Sequence, residues 1–78
     1  MSRALIEYVG PWLLDHPDEL HIEEVEGDRG ATILEISVHA EDMGKLIGKR
    51  GRIIQALRTL ARAAGQREGA TVLVEVVD

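Results

Sequence analysis

Between Lys45 and Ile54 the chain reads Lys-Leu-Ile-Gly-Lys-Arg-Gly-Arg-Ile-Ile. Gly48 and Gly51 bracket two cations, Lys49 and Arg50, and apolar residues crowd both sides. Glycine lets a backbone approach an anion with no Cβ in the way. A helix start adds free N–H groups and the positive end of its dipole. Cations favour helix C-termini, yet Lys49, Arg50 and Arg52 sit where a helix-forming run begins. Each opposes the macrodipole there by about 0.3–1 kcal/mol when exposed. A bound phosphate would resolve the conflict, and places where a sequence breaks such a local rule tend to be functional.

Charge is segregated around this stretch. The 78 residues carry a net charge of -5, which by itself argues against a polyanionic ligand. Seven of the nine Lys and Arg residues, however, lie between 45 and 67: Lys45, Lys49, Arg50, Arg52, Arg58, Arg62 and Arg67. No Asp or Glu lies in that span, and the other residues set two basic side chains against all fourteen acidic ones. An anion responds to the local field, because screening sets in at about 8 Å in physiological salt. A solvated helix face is the plainer explanation of the same run.

Spacing separates the phosphate motifs. A P-loop needs four residues between its glycines and then Lys-Ser or Lys-Thr. Gly44 and Gly48 leave three residues between them, and Lys49 is followed by Arg50. A dinucleotide fingerprint follows a strand, whereas this turn follows a helical run. Nucleotide hydrolysis and dinucleotide redox chemistry are thereby disfavoured. No serine has a plausible base in sequence context and there is no cysteine, so no enzyme is expected, and no cofactor. His16, His21 and His39 are scattered and read as surface residues rather than metal ligands.

The elements that must position the turn follow from periodicity. Residues 3–14 place Leu5, Ile6, Val9, Leu13 and Leu14 on one helical face, with a kink or restart expected at Gly10-Pro11. Tyr8 and Trp12, the only aromatics, fall beside that face, and Trp12 is expected as a core or groove-edge anchor. Residues 20–26 and 31–38 alternate as two strands of a hairpin around Gly27-Asp28-Arg29-Gly30. Val25 breaks the first alternation, so a bulge or early end is expected there. Glu41 and Asp42 open a short helix through Ile47. A further helix runs from about Arg52 to Ala64, with Ile53, Leu57 and Leu60 as core and Gly65 as its stop. Ala61, Ala63 and Ala64 are good helix formers that also allow another helix close approach. Residues 70–77 are nearly all apolar, as expected of a strand inside a sheet.

The order is α-β-β-α-α-β, an α+β chain. The last strand can lie parallel to the second, joined to it by a right-handed crossover. The expected architecture is a three-stranded mixed sheet with three helices on one face. No run approaches the roughly 20 apolar residues of a membrane span, Glu7 interrupts any signal-like segment, and a cytoplasmic location is expected.

A G-x-x-G turn between two helices, flanked by Leu46-Ile47 and Ile53-Ile54 in this element order, resembles the type II KH domain, an RNA-binding module. The resemblance spans residues 1–78 as a single domain, and extends to the small single-KH bacterial RNA-binding proteins of the KhpA type. It implies that Gly48, Lys49, Arg50 and Gly51 clamp the sugar-phosphate backbone of single-stranded RNA. Gly44, Ile47 and Ile54 would line an aliphatic groove floor, and Lys45 and Arg52 would add phosphate contacts at its rim. It also implies a homodimer, a heteromer with the larger KH protein KhpB (Jag or EloR), and work as an RNA chaperone or post-transcriptional regulator tied to cell-envelope or cell-shape control. Two alternatives stay open: single-stranded DNA as ligand, and a protein-assembly module whose basic strip meets an acidic partner or the ribosome. For the latter, Ile33, Leu73 and Val77 are the exposed apolar residues of interest.

Overall fold

A computed structural model describes residues 2–77. The amphipathic run near the start forms α1 (Ser2–Leu13). Pro11 lies inside this helix without a restart. Its missing N–H removes the bond to the Glu7 carbonyl, and the helix ends two residues later. The chain then leaves the helix at Leu14 and makes a short 3₁₀ turn over Pro17–Glu19.

Two strands follow, β1 (His21–Glu26) and β2 (Thr32–Ser37), paired antiparallel from His21↔Ser37 to Glu26↔Thr32. The register is continuous, so Val25 causes no bulge. It sits opposite Ile33, on the face away from the helices. The hairpin turn is the 3₁₀ segment Asp28–Gly30, in which Arg29 and Gly30 both take positive φ.

α2 (Ala40–Arg67) is one helical element of 28 residues. The expected count of three helices becomes two. Non-helical dihedrals at Gly48–Gly51 kink this element, so the two helical runs expected on either side of the turn are the two halves of α2. The element also runs past Gly65, which is buried within it. A Cβ at Gly65 would lie 2.5 Å from Val72 Cγ2 and 3.1 Å from the Ala70 carbonyl oxygen. This glycine therefore serves close approach of helix to strand. The left-handed residue that ends the helix is Gly69, at φ 72°, as expected just past a helix C-terminus.

β3 (Val72–Val76) pairs parallel with β2, giving the strand order β1-β2-β3. β3 is thus an edge and not an interior strand. Its apolar character comes from Val72 and Val74, buried beneath the helices. Its outer edge is partly covered, because Arg58 Nε donates to the Val74 carbonyl at 3.1 Å. An occupied carbonyl makes an edge a poorer template for stray pairing.

The core lies between the helices and one sheet face: Ile6, Leu14, Leu34, Ile36, Leu46, Ile54, Leu57, Ala61, Val72 and Val74. Ile54 belongs to it, Ile53 packs against it half-buried, and Leu60 is exposed. The small residue Ala61 admits α1 closely, and Ser2 Oγ donates to its carbonyl at 3.1 Å. Trp12 is 79% exposed, so it anchors no core.

Gly65→Ala tests the close approach. An alanine in an open helix gains up to about 1 kcal/mol over glycine. Here overpacking is expected to dominate, with a net loss of about 1–3 kcal/mol in urea denaturation. A midpoint equal to or above the parent's would contradict the packing described.

Candidate nucleic-acid interface

The Gly48–Gly51 turn is built from three successive left-handed residues. Lys49, Arg50 and Gly51 have φ of 52°, 63° and 70°, while Gly48 is extended at φ -70°, ψ 169°. Only glycine adopts the left-handed region freely. A non-glycine residue pays roughly 1–2 kcal/mol for it. The conformation swings the chain outward and leaves Lys49 and Arg50 exposed. Neither they nor Arg52 pair with an acid among the described residues. Leu46 before the turn and Ile54 after it are both buried, so each flank is anchored in the core.

Gly44, Lys45, Gly48, Lys49 and Arg52 come together with Ile53 around a depression of about 210 Å³. Five of the nine residues singled out by sequence thus share one concavity. Arg50 and Gly51 belong to the adjoining turn. Ile47 is 55% exposed but does not line this depression, and Ile54 is 4% exposed and part of the core. Ile53 takes the lining position that Ile54 was expected to hold. Helical phase explains the exchange: Ile54, Leu57, Ala61 and Ala64 share the buried face, which turns Ile53 toward the flank.

The basic strip is divided. Arg58 and Arg62 line a separate depression of about 250 Å³ with Val72, Leu73, Val74 and Glu75. Lys45 is partly neutralised, its Nζ lying 3.4 Å from Asp15 Oδ1.

The first half of α2 is held in place by a residue whose part sequence reading missed. Asp42 is fully buried, and its Oδ1 and Oδ2 accept the backbone N–H groups of Asp15 (3.0 Å) and His16 (2.8 Å). Burial pushes its carboxyl up. The hydrogen bonds from the Asp15 and His16 backbone, with the nearby His16 and Lys45 charges, outweigh burial and hold it below the usual carboxylate range. An acid two residues into a helix reads from sequence as a dipole partner. Its long-range bonds leave no local signal.

His16 and His39 are not scattered. Their rings stack at 3.9 Å and 17°, beside Glu41. His16 Nε2 lies 2.9 Å from Glu41 Oε1, and His39 Nδ1 accepts the Glu41 backbone N–H at 3.0 Å as the N-cap of α2. These three residues bring ligand atoms within 4.8 Å of one another. The cap bond occupies His39 Nδ1 and Glu41 is engaged by His16, which accounts for the cluster as a helix cap.

Comparison with known proteins bears on the family and the fold. The family model described as "KhpA/KhpB, KH domain" matches residues 3–76. RNA-binding protein KhpA of Clostridium perfringens is 44% identical over 75 residues, covering 96% of this chain and 99% of the relative. RNA-binding protein KhpA of Clostridium acetobutylicum is 45% identical over the same length and coverage. Among solved structures, Era in complex with MgGDPNP and nucleotides 1506–1542 of 16S ribosomal RNA superposes with a TM-score of 0.61 at 22% identity. That match covers 96% of this chain and 28% of the Era chain, and it bears on the fold alone.

Asp42→Asn is expected to lower the melting temperature at neutral pH, because the amide offers one acceptor oxygen for the two N–H groups and sets its NH2 donor against the other. A group whose folded pKa is depressed contributes its full stability above its unfolded pKa, near 3.9 for Asp, and loses it as pH falls through the lower folded value. The gap between parent and variant should therefore be constant above pH of about 5 and close below about 4. A gap that persists unchanged into that acidic range would contradict the assigned role.

Proposed function

The chain belongs to the KhpA/KhpB KH-domain family, and on that premise we propose that it binds short single-stranded RNA at the Gly48–Gly51 turn. In this reading Gly48, Lys49, Arg50 and Gly51 seat the sugar-phosphate backbone, and Lys45 and Arg52 contact phosphates at the rim. Gly44 and Ile47 face the bases, joined by Ile53, while Ile54 supports the floor from within the core. The observation that carries the proposal is the left-handed run at Lys49, Arg50 and Gly51, which holds unpaired cations at a helix start. The names of the curated relatives agree with it.

A phosphate clamp without exposed aromatics in the depression discriminates little between sequences. Affinity per module is then modest, and gains come from linking sites. A homodimer, or assembly with the larger family member KhpB, would supply that gain. Work as an RNA chaperone or post-transcriptional regulator in the cytoplasm, with an outlet in cell-envelope control, fits such a reader. A binding role without catalysis is sufficient to explain the residues gathered there.

Lys49→Asp together with Arg50→Asp is expected to abolish RNA binding and leave the fold intact, since aspartate tolerates left-handed φ better than most residues. If a double variant with parental circular dichroism binds RNA at parental affinity and fixed salt, the assignment is wrong. For the parent, neutralising about three to four phosphates gives a log–log salt slope of about -2 to -3. Affinity for a short RNA should then fall roughly twenty- to fifty-fold between 50 and 200 mM salt. A flat salt dependence would remove the phosphate clamp from the account.

Gly44→Ala separates stability from binding. No atom lies within 4 Å of a Cβ there, so the helix should gain about 0.5–1 kcal/mol. The same methyl projects beside the candidate groove and should weaken RNA binding. A stabilised variant with parental affinity would move the RNA path away from Gly44.

A further inference from the structure

The sheet face that the helices leave uncovered carries its side chains in cross-strand rows. Val25, Ile33 and Leu73 lie in register across β1, β2 and β3, and Glu23, Glu35 and Glu75 form the next row. Leu73 is 44% exposed. A depression of about 330 Å³ beside the carboxylate row is lined by His21, Glu23, Glu35, Ser37 and Val77. Adjacent strands lie about 4.8 Å apart, and like charges directly opposite one another destabilise a sheet. None of the three glutamate carboxylates has a hydrogen bond or ion pair among the described residues.

A row of unpaired carboxylates therefore runs parallel to a row of apolar side chains, two residues or roughly 6.7 Å further along the strands. The sign of the charge turns RNA away from this face. What it complements is a surface with cations beside apolar groups. An amphipathic helix lying across the strands has that geometry. Its turns repeat every 5.4 Å, close to the strand spacing, so three successive turns reach three strands. Lys or Arg on one stripe would meet Glu23, Glu35 and Glu75. Leu or Ile on the neighbouring stripe would cover Val25, Ile33 and Leu73.

We propose that the open sheet face, with its carboxylate row beside its apolar row, is a docking surface for a basic amphipathic helix of a partner protein. It faces away from the Gly48–Gly51 turn and does not depend on the RNA reading. Partner and polyanion would engage opposite sides of one small chain.

The test uses the full chain, isotopically labelled, titrated with a fluorescein-tagged 18-residue helical peptide bearing adjacent Lys and Leu stripes. Amide shifts should concentrate at residues 23–25, 33–35 and 73–75. Glu35→Lys should weaken binding at least tenfold by anisotropy. Leu73→Ala, which leaves the charge unchanged, should weaken it several-fold. Glu24→Lys makes the same charge change on the other face of β1 and should alter affinity less than twofold. The Lys49/Arg50 double variant should bind the peptide as the parent does. Equal losses for Glu24→Lys and Glu35→Lys, no binding by the parent, or shifts outside the three strands would overturn the proposal. Concentration-dependent shifts of the same rows without peptide would assign the face to a second copy of the chain and overturn it as well.

Discussion

Three consecutive left-handed residues, two of them carrying long side chains, set the terms for the candidate site. Such backbone states cost on the order of 1–3 kcal/mol each and persist only where surrounding structure over-determines them. Here the flanks do so. Leu46 and Ile54, two residues before the turn and three after it, are buried in the same core. The chain between them has too few residues to relax outward without extracting one or the other. The turn's cations are then held at a helix start, where the dipole disfavours them, with no acidic partner among the described residues.

The remaining elements keep that turn where it is. α1 and the chain just after it contact both halves of the kinked α2. Ser2 is bonded to Ala61 near one end, and the Asp15 and His16 backbone is bonded to Asp42 near the other. α1 and the turn that follows it thus tie together the two segments that flank Gly48–Gly51. The parallel β2–β3 pairing fixes the exit of α2, with Gly65 admitting Val72 at close range. Charge follows the same division. Cations gather on α2, and unpaired carboxylates stand on the far face of the sheet.

Much of this was legible in the sequence because it rests on local periods. Alternation located both hairpin strands, and the need for a right-handed crossover set β3 parallel to β2. The G-x-x-G turn and its flanking aliphatics were visible as spacing. What was misread depended on contacts between distant residues or on helical phase. Gly65 and Gly69 are both plausible helix stops, and only the position of Val72 shows that Gly65 is a contact residue. Ile53 and Ile54 exchange roles because a left-handed turn resets the phase of the helix after it, and Ala61 and Ala64 then outrank Leu60 as core. Trp12 was expected as a core or groove-edge anchor beside the apolar face, yet the buried stripe of α1 passes through Ile6 and Gly10. The Asp42 bonds and the His16–His39 stack join residues more than twenty apart, beyond the reach of any local pattern.

The central claim is that single-stranded RNA lies on the left-handed turn and the depression beside it. Ultraviolet crosslinking of the unmodified chain to a short single-stranded RNA, with modified residues located by mass spectrometry, tests it most directly. Nucleotide adducts confined to residues 44–54 are the result this account predicts. Adducts on the open sheet face, or distributed without preference over the surface, would contradict it.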